Sequence, residues 1–361
     1  MPSPYRFHAA EISYFSAKVR PALRAKGVHY LEVIPDYRGV ILPRTGYSFI
    51  PIVITPEDET WQDTSTILDR LEAREPAPAL YPTTPVQRTI AYLLELYADE
   101  FMLLPAMHYR WSFPESIAKA RADFAAMSPE PAAATKFATR MQGTLPFLGI
   151  TPATIPAIEA HLRDLLDALS AHFAAHPYLL GDRMSLADCA LMGPLYAHLY
   201  LDAVPGRLLR ETAPAVGNWI ERMNRPDPEA QAAATWLPDD ALAPTLRPIL
   251  HLIGSDALPL ILAGVAAFEE WVDGQPAGLV EPPRGVGGHS TALRGVPMDR
   301  FTSSYTSWMV QRPLDAYRAL DAAGRAAVDR AVAGTGCEAL FAFTPRHRVE
   351  KRGFTLALAG R

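Results

Sequence analysis

Two neighbouring stretches carry groups that could bind a small peptide. Pro51 heads the run Ile52-Val53-Ile54. Because proline cannot donate to a sheet ladder, it belongs at the start of a strand or on an edge, and a cis bond there would turn the N–H and C=O groups of Ile50 outward. Residues 63–65 (Asp-Thr-Ser) place hydroxyls and free amides at a predicted helix start, which suits a carboxylate. The alternatives are a peptide-binding surface, or a buried edge strand followed by an ordinary helix cap.

The elements that must position these groups follow from periodicity. Residues 5–9 alternate as a strand, 13–25 carry apolar residues at helical spacing, and 29–34 alternate again. The short β-α-β connection implies a parallel pair of strands, and the hairpin and helix that follow imply an antiparallel pair. This order predicts an α/β thioredoxin-like domain.

Residues 13–16 (Ser-Tyr-Phe-Ser) open the first helix, where a thioredoxin-like redox protein would carry Cys-x-x-Cys. Hydroxyls stand at both cysteine positions, so dithiol exchange at this site is excluded. A thiol would have to be brought in by a ligand. Cys189, one of two cysteines in the chain, lies in a predicted apolar helix and is expected to be a small core residue.

Residues 13–20 (SYFSAKVR), 50–53 (IPIV) and 63–67 (DTSTI) resemble the N-terminal domain of cytosolic glutathione S-transferases. The resemblance implies glutathione as co-substrate and Ser13 as the catalytic residue, in the position used by the serine and cysteine classes. It further implies a thiolate attack on an electrophilic, apolar or aromatic small molecule, a role in detoxification.

The same resemblance assigns the glutathione contacts. The backbone of Ile50, beside a cis Pro51, would pair with the tripeptide, and Ser65 would bind its γ-glutamyl carboxylate. Thr64 stands where the family usually has Glu or Gln, which alters one contact. Phe49 stands where many members carry a lysine near the cis-proline; Arg44 either replaces that charge from slightly further back or is a solvated loop arginine.

The chemistry asked of Ser13 is modest. A bound thiol with a pKa near ~8.5 is mostly neutral at pH 7, and lowering that pKa by about two units corresponds to ~2.7 kcal/mol. One charge-assisted hydrogen bond plus a helix N-terminus is enough for this. The alternative is that Ser13 only caps the helix. Ser16 is a second candidate, and Tyr14 could offer its hydroxyl or its ring to a substrate.

Residues 82–236 are predicted to be helical throughout. Residues 84–87 (Thr-Pro-Val-Gln) and 185–188 (Ser-Leu-Ala-Asp) have the pattern of capping boxes, and the second resembles the capping motif of the all-α C-terminal domain of glutathione transferases. Tyr109 and Trp111 end a helix whose equivalent in the family lines the co-substrate site. They are predicted either to contact an aromatic substrate or to lie in the core.

Residues 237–361 extend beyond the length usual in this family. Two helices are predicted over 239–253 and 259–272, two more over 305–320 and 322–333, and a terminal strand over 348–358. The Gly- and Pro-rich residues 274–300 are predicted to be mostly loop. The basic residues near 346–352 could bind an acidic ligand, but they are expected to form a solvated end. The predicted division is therefore 1–80, 82–236 and a mainly helical extension of unknown role, 237–361.

Composition sets further limits. With 49% hydrophobic and 20% charged residues, the chain can build a sizeable core, and its net charge of -5 gives no footprint for nucleic acid. No signal peptide, membrane span or metal motif is recognised, so a cytoplasmic protein without a metal is expected. The family resemblance implies a homodimer. The competing hypothesis is a catalytically silent binding or scaffold protein that kept the fold.

Overall fold

The N-terminal part of the chain is built on a four-stranded mixed sheet. In the computed structural model, which describes residues 3–128 and 130–360, its elements are β1 (Tyr5–His8), α1 (Tyr14–Ala25), β2 (Tyr30–Val33), α2 (Leu42–Thr45), β3 (Ile52–Ile54), β4 (Thr60–Gln62) and α3 (Thr64–Arg74). The strand order is β2-β1-β3-β4; β1 is parallel to β2, and the other neighbouring pairs are antiparallel. The predicted thioredoxin-like domain is confirmed.

Strand β3 shows why the sheet is covered on both faces. Val53 belongs to the large core cluster shared with α1 and α3, whereas Ile52 and Ile54 pack with Ile41 in a separate cluster. All four side chains have no exposed surface. Successive strand residues point to opposite faces, so an unbroken Ile/Val run is buried on both sides.

The middle of the chain is helical, as predicted. Its helices are α4 (Pro85–Leu96), α5 (Leu103–Trp111), α6 (Pro114–Met127), α7 (Pro131–Gln142), α8 (Ile155–Ala175), α9 (Leu186–Met192), α10 (Ala203–Thr212), α11 (Pro214–Asn224) and α12 (Pro228–Ala233). A short π-helical turn, Tyr97–Phe101, joins α4 to α5. The capping box of Ser185 and Asp188 is present at the head of α9. Asp188 also accepts a hydrogen bond from Trp219 Nε1 at 3.2 Å, which ties α9 to α11.

The predicted capping box at Thr84 is wrong. Its side chain makes no capping bond to α4. Instead, the carboxylate of Asp240 accepts from the amides of Val86 and Gln87 at 2.7 and 2.9 Å. Helix α4 is therefore capped by a residue of the extension, more than 150 positions further along the chain.

The extension contains both helices and two hairpins. Its elements are α13 (Arg247–Leu252), α14 (Leu258–Asp273), β5 (Gly285–Leu293), β6 (Val296–Ser303), α15 (Ser304–Arg318), α16 (Ala322–Val332), α17 (Glu338–Ala342), β7 (Val349–Arg352) and β8 (Thr355–Leu358). Helix α15 packs along α4, so the extension lies against the helical part of the chain.

Three predictions for the extension need correction. The predicted loop 274–300 contains β5 and most of β6, a long hairpin whose glycines hide its strand pattern. The terminal strand is a hairpin that turns at Gly353, where φ is 62°. The first helix begins only at α13, because Asp239 and Asp240 have positive φ values of 54° and 56°, which an α-helix excludes.

The segment Pro244–Asp273 is long and apolar enough to cross a membrane by length and composition alone. However, 67% of its most apolar window is buried inside the protein. Leu258, Ile261 and Val265 of α14 belong to the main core cluster. These contacts are those of a core helix.

His172 links α8 to the extension and makes stability pH-dependent. Its Nε2 donates to the carbonyl of Tyr178 at 3.2 Å, so its Nδ1 accepts from the hydroxyl of Thr245 at 2.9 Å. Burial lowers the pKa of His172 to about 4, with the nearby His176 acting in the same direction. Because the unfolded chain binds this proton more readily, the stabilisation is present above about pH 6.5 and is lost as the pH falls towards 4.

We expect the free energy of unfolding to fall more steeply between pH 6.5 and 4 in the wild type than in His172→Gln, by up to about 3 kcal/mol. Urea titrations at a series of pH values measure this. His251→Gln, a change at an exposed histidine, is the matched control and should keep the wild-type slope. Equal slopes in all three proteins would contradict the assignment.

Candidate functional site

A cavity of about 480 Å³ lies between the thioredoxin-like domain and the extension. That volume is typical of a small-molecule site. The thioredoxin-like domain forms the first wall of this cavity, with the residues Phe15, Phe49, Ile50, Pro51, Gln62, Asp63 and Thr64. Those of the second wall include Pro283, Arg284, Tyr305, Lys351, Phe354 and Leu356, all from the extension.

The loop before β3 forms the floor of the cavity. The Ile50–Pro51 peptide is cis, and both residues line the space. Within the described residues, no backbone hydrogen bond involves Ile50. The side-chain nitrogen Nε2 of Gln62, on the adjacent strand β4, is buried without a hydrogen-bond partner among the described residues. Ile50 and Pro51 therefore lie at an open cavity, and the side-chain amide of Gln62 adds a free donor.

Helix α3 begins at the edge of this cavity. Asp63 is its N-cap, with a positive φ of 75°, and accepts from the amide of Thr66 at 3.1 Å. Thr64 is the first helical residue and lines the cavity. Amides in the first turn of a helix have no intrahelical acceptor, so this end can receive a carboxylate. The hydroxyl of Thr64 makes no side-chain hydrogen bond within the described residues.

The structure does not bring Ser65 to the cavity. Its side chain is completely buried, and its hydroxyl accepts from Lys18 Nζ at 3.0 Å and donates to Glu95 at 2.7 Å. Consecutive residues of an α-helix point about 100° apart, so a shift of one position turns the side chain from the cavity to the interior. Of these two neighbouring residues, Thr64 is the one that lines the cavity.

Ser13 occupies the N-cap of α1. Its Oγ accepts from the amide of Ser16 at 3.3 Å. Among the described residues, Phe15 lines the cavity, whereas Ser13, two positions earlier, lies next to the lining and is not part of it. Capping uses a lone pair of the oxygen, so the O–H of Ser13 remains able to donate to a ligand. Ser16 has no exposed surface and binds the amide of Ala10, which removes it as a second candidate.

The three side chains predicted to contact a substrate are core residues. Tyr14 is 4% exposed and donates its hydroxyl to the carbonyl of Ala98. The ring of Tyr109 stacks on Phe113 and that of Trp111 on Phe124. None of the three lies among the described residues that line the cavity. The aromatic surface of the cavity is instead provided by Phe15, Tyr47, Phe49, Tyr305 and Phe354.

Arg44 also points away from the cavity. Its guanidinium binds the carboxylate of Asp58 at 2.8 and 3.0 Å and the hydroxyl of Thr60 at 3.1 Å. It therefore braces the turn between β3 and β4. The cation near Phe49 is Arg284, whose Cζ lies 4.7 Å from the ring centroid.

Residues of the extension close the helix end of the cavity. Lys351 Nζ lies 3.0 Å from one carboxylate oxygen of Asp63, and Tyr305 donates its hydroxyl to the other. Burial acts to raise the pKa of Asp63, but the charge of Lys351 and the bonds from Tyr305 and Thr66 outweigh it and lower that pKa. Burial in turn lowers the pKa of Lys351, against the attraction of Asp63. Both Asp63 oxygens are thus already engaged.

Sequence reasoning missed Arg284 and Tyr305, and it left open the role of Lys351. Their contacts join residues more than 200 positions apart, which no local pattern reports. The one available signal was the basic group near the end of the chain, which includes Lys351. The acidic partner that it meets is Asp63, a residue of the protein itself.

A buried ionic network beneath the cavity connects all three parts of the chain. Lys18 Nζ binds Glu95 at 2.8 Å and Asp99 at 2.6 Å. Arg312 of α15 binds the other oxygen of Glu95 at 2.9 Å and Asp69 of α3 at 2.7 Å. Although burial acts to raise it, the charges of Arg312 and Lys18 lower the pKa of Glu95, whereas burial dominates at Asp99 and raises its pKa.

Two family models match this chain. One describes the N-terminal domain of glutathione S-transferases and covers residues 7–79; the other describes their C-terminal domain and covers residues 152–222. No curated protein matches the chain. Residues 223–361 lie outside both family models.

The fold is similar to several solved structures at low identity. A glutathione S-transferase from Rhodospirillum rubrum is 20% identical with a TM-score of 0.45, covering 65% of this chain and 94% of its own. The beta-etherase LigF from Sphingobium is 16% identical with a TM-score of 0.46, covering 63% and 98%. A glutathione S-transferase from Methylobacterium radiotolerans, in complex with glutathione sulfonate, is 21% identical with a TM-score of 0.40, covering 66% and 100%.

Proposed function

Since this chain belongs to the glutathione S-transferase family, we propose that it binds glutathione in the cavity between its first domain and its extension. The observation that carries this proposal is the meeting of cis Pro51, the free donor of Gln62 and the start of α3 in one cavity. The backbone of Ile50 would pair with the cysteinyl residue of glutathione. Thr64 and the first amides of α3 would bind the γ-glutamyl carboxylate.

We further propose that the protein is a transferase. Ser13 donates its O–H to the sulfur of glutathione and, with the N-terminus of α1, favours the thiolate. The thiolate attacks an electrophilic carbon, a C–S bond forms, and the leaving group departs with its electron pair. The aromatic side chains around the cavity favour an apolar or aromatic electrophile.

Binding of glutathione tests the proposal directly. Calorimetry on the wild type should show binding at or below millimolar glutathione, and Thr64→Val should weaken it by about tenfold, the effect of one lost hydrogen bond to a charged group. Ser65→Ala is the matched control, because that hydroxyl lies in the buried network rather than at the cavity. Weaker binding in Ser65→Ala with no change in Thr64→Val would show that Ser65, as predicted from the sequence, binds the γ-glutamyl carboxylate and that Thr64 does not.

A binding protein without catalysis is the second candidate. It is favoured by the contacts of Asp63, whose carboxylate is occupied by Lys351 and Tyr305 instead of being open to a ligand. The two candidates differ in turnover. A protein that binds glutathione but neither lowers its thiol pKa nor conjugates any aromatic electrophile is the binding protein.

We retain as proposals a cytoplasmic location and a homodimer, both of which follow from the family. Light scattering on the purified full chain distinguishes a dimer from a monomer. The extension matters for this measurement because α15 covers part of α4.

A further inference from the structure

Arg284 is an exposed residue that lines the cavity, and its backbone is restrained. It follows Pro282 and Pro283, which restrict the backbone, and its carbonyl accepts from the amide of Ser304 at 3.1 Å. The guanidinium lies 4.7 Å from the ring centroid of Phe49 and 5.1 Å from that of Tyr305. Two aromatic rings from opposite walls therefore contact one cation.

The donors of this guanidinium are unused. Within residues 3–128 and 130–360, the side chain of Arg284 makes no hydrogen bond or ion pair, although it lines the cavity. Other arginines near the site are engaged: Arg44 binds Asp58, and Arg312 binds Asp69 and Glu95. A positioned guanidinium without an acidic partner is suited to bind a planar anion through two hydrogen bonds.

We propose that Arg284 binds the glycyl carboxylate of glutathione, so that the extension supplies part of the ligand-binding site. This inference rests on the proposed function above. There, Thr64 holds the γ-glutamyl end of the tripeptide and Ile50 its centre. Arg284 lies over Phe49, the residue next to Ile50, and the remaining end of an extended tripeptide is its carboxylate.

The charges at the cavity agree with this orientation. Asp63 and Lys351 neutralise each other at the start of α3, so the ammonium group of Lys351 does not compete with Arg284 for a ligand carboxylate. Glu281, the other acidic residue that lines the cavity, makes no ion pair with Arg284 within the described residues. Among the described residues that line the cavity, Arg284 is therefore the cation without an ion pair, and its guanidinium lies between Phe49 and Tyr305, nearer to Phe49.

The assignment is tested by measuring how two protein variants bind two ligands. Calorimetry measures the affinity of the full-length wild type and of Arg284→Met for glutathione and for its glycyl monoethyl ester, which lacks that carboxylate. In the wild type we expect the ester to bind about tenfold more weakly than glutathione, as for the loss of a charge-assisted contact. In Arg284→Met both ligands should bind equally, at the level of the ester. Arg318→Met, at an exposed arginine of the extension that binds the carbonyl of Phe343, should keep the tenfold difference.

The outcomes separate this inference from the function on which it rests. If the wild type binds glutathione and Arg284→Met still discriminates tenfold between the two ligands, the assignment of Arg284 is overturned and glutathione binding stands. If the wild type binds glutathione and the ester with equal affinity, the assignment is also overturned. No binding of glutathione to the wild type overturns the proposed function and this inference together.

Discussion

Replacing Ser13 with alanine is expected to raise the thiol pKa of bound glutathione by about one unit, roughly half of the two-unit shift that the hydroxyl and the helix N-terminus produce together, which lowers the thiolate fraction up to about tenfold. The alanine removes the O–H that would donate to the sulfur, while the amides of α1 remain. Ultraviolet absorbance of the thiolate, followed against pH in the glutathione complex, gives the pKa. The rate of conjugation with an aromatic electrophile below that pKa should fall by a similar factor.

The substitution also removes a helix cap, so a control for capping is needed. Asp321 caps α16 by accepting from the amide of Gly324 at 2.7 Å, far from Ser13 along the chain. Asp321→Ala should cost about 1 kcal/mol of stability, comparable with the capping loss at Ser13, and leave the thiol pKa unchanged. A thiol pKa in Ser13→Ala that equals the wild-type value would show that Ser13 only caps the helix.

Replacing Lys18 with methionine is expected to lower the free energy of unfolding by about 3–5 kcal/mol. The ammonium group has no exposed surface and binds Ser65, Glu95 and Asp99. Without it, Arg312 still pairs with Glu95, but Asp99, which is 3% exposed, keeps no cation. Equilibrium denaturation at neutral pH measures the loss.

A solvent-exposed ion pair provides the matched comparison. Arg207 binds Glu115 at 3.2 Å, and both side chains are more than half exposed. Arg207→Met should therefore cost less than about 1 kcal/mol. A loss of similar size in Lys18→Met would mean that Asp99 accepts a proton and stays buried at little cost.

The sequence predicted those parts of the site whose signals are local. Pro51 heads an apolar run, and the Asp-Thr-Ser of residues 63–65 marks a helix start, so both could be recognised within a few residues. The assignment of the hydroxyl at that helix start was sensitive to one position, because each residue turns the side chain by about 100°. Thr64 and Ser65 carry similar groups, and only packing against Glu95 distinguishes them.

The second wall of the cavity could not be predicted in the same way. Strand β5 begins with glycines at 285, 287 and 288, which weaken any strand pattern, and its partner β6 supplies the pairing. The cap of α4 is likewise supplied from a distance by Asp240 rather than by the adjacent Thr84. Tertiary contacts determine the pairing of β5 with β6 and the cap of α4, and the spacing of residues in the sequence does not predict either.

The closing contact of Lys351 on Asp63 has a consequence for biosynthesis. The chain emerges from the ribosome N-terminus first, and a thioredoxin-like domain can fold once its last helix has emerged. The floor of the cavity, up to Thr64, is therefore made early, whereas Lys351 follows much later in the chain. Until Lys351 has been translated, the nascent chain presents an open cleft in which Asp63 lacks its lysine partner.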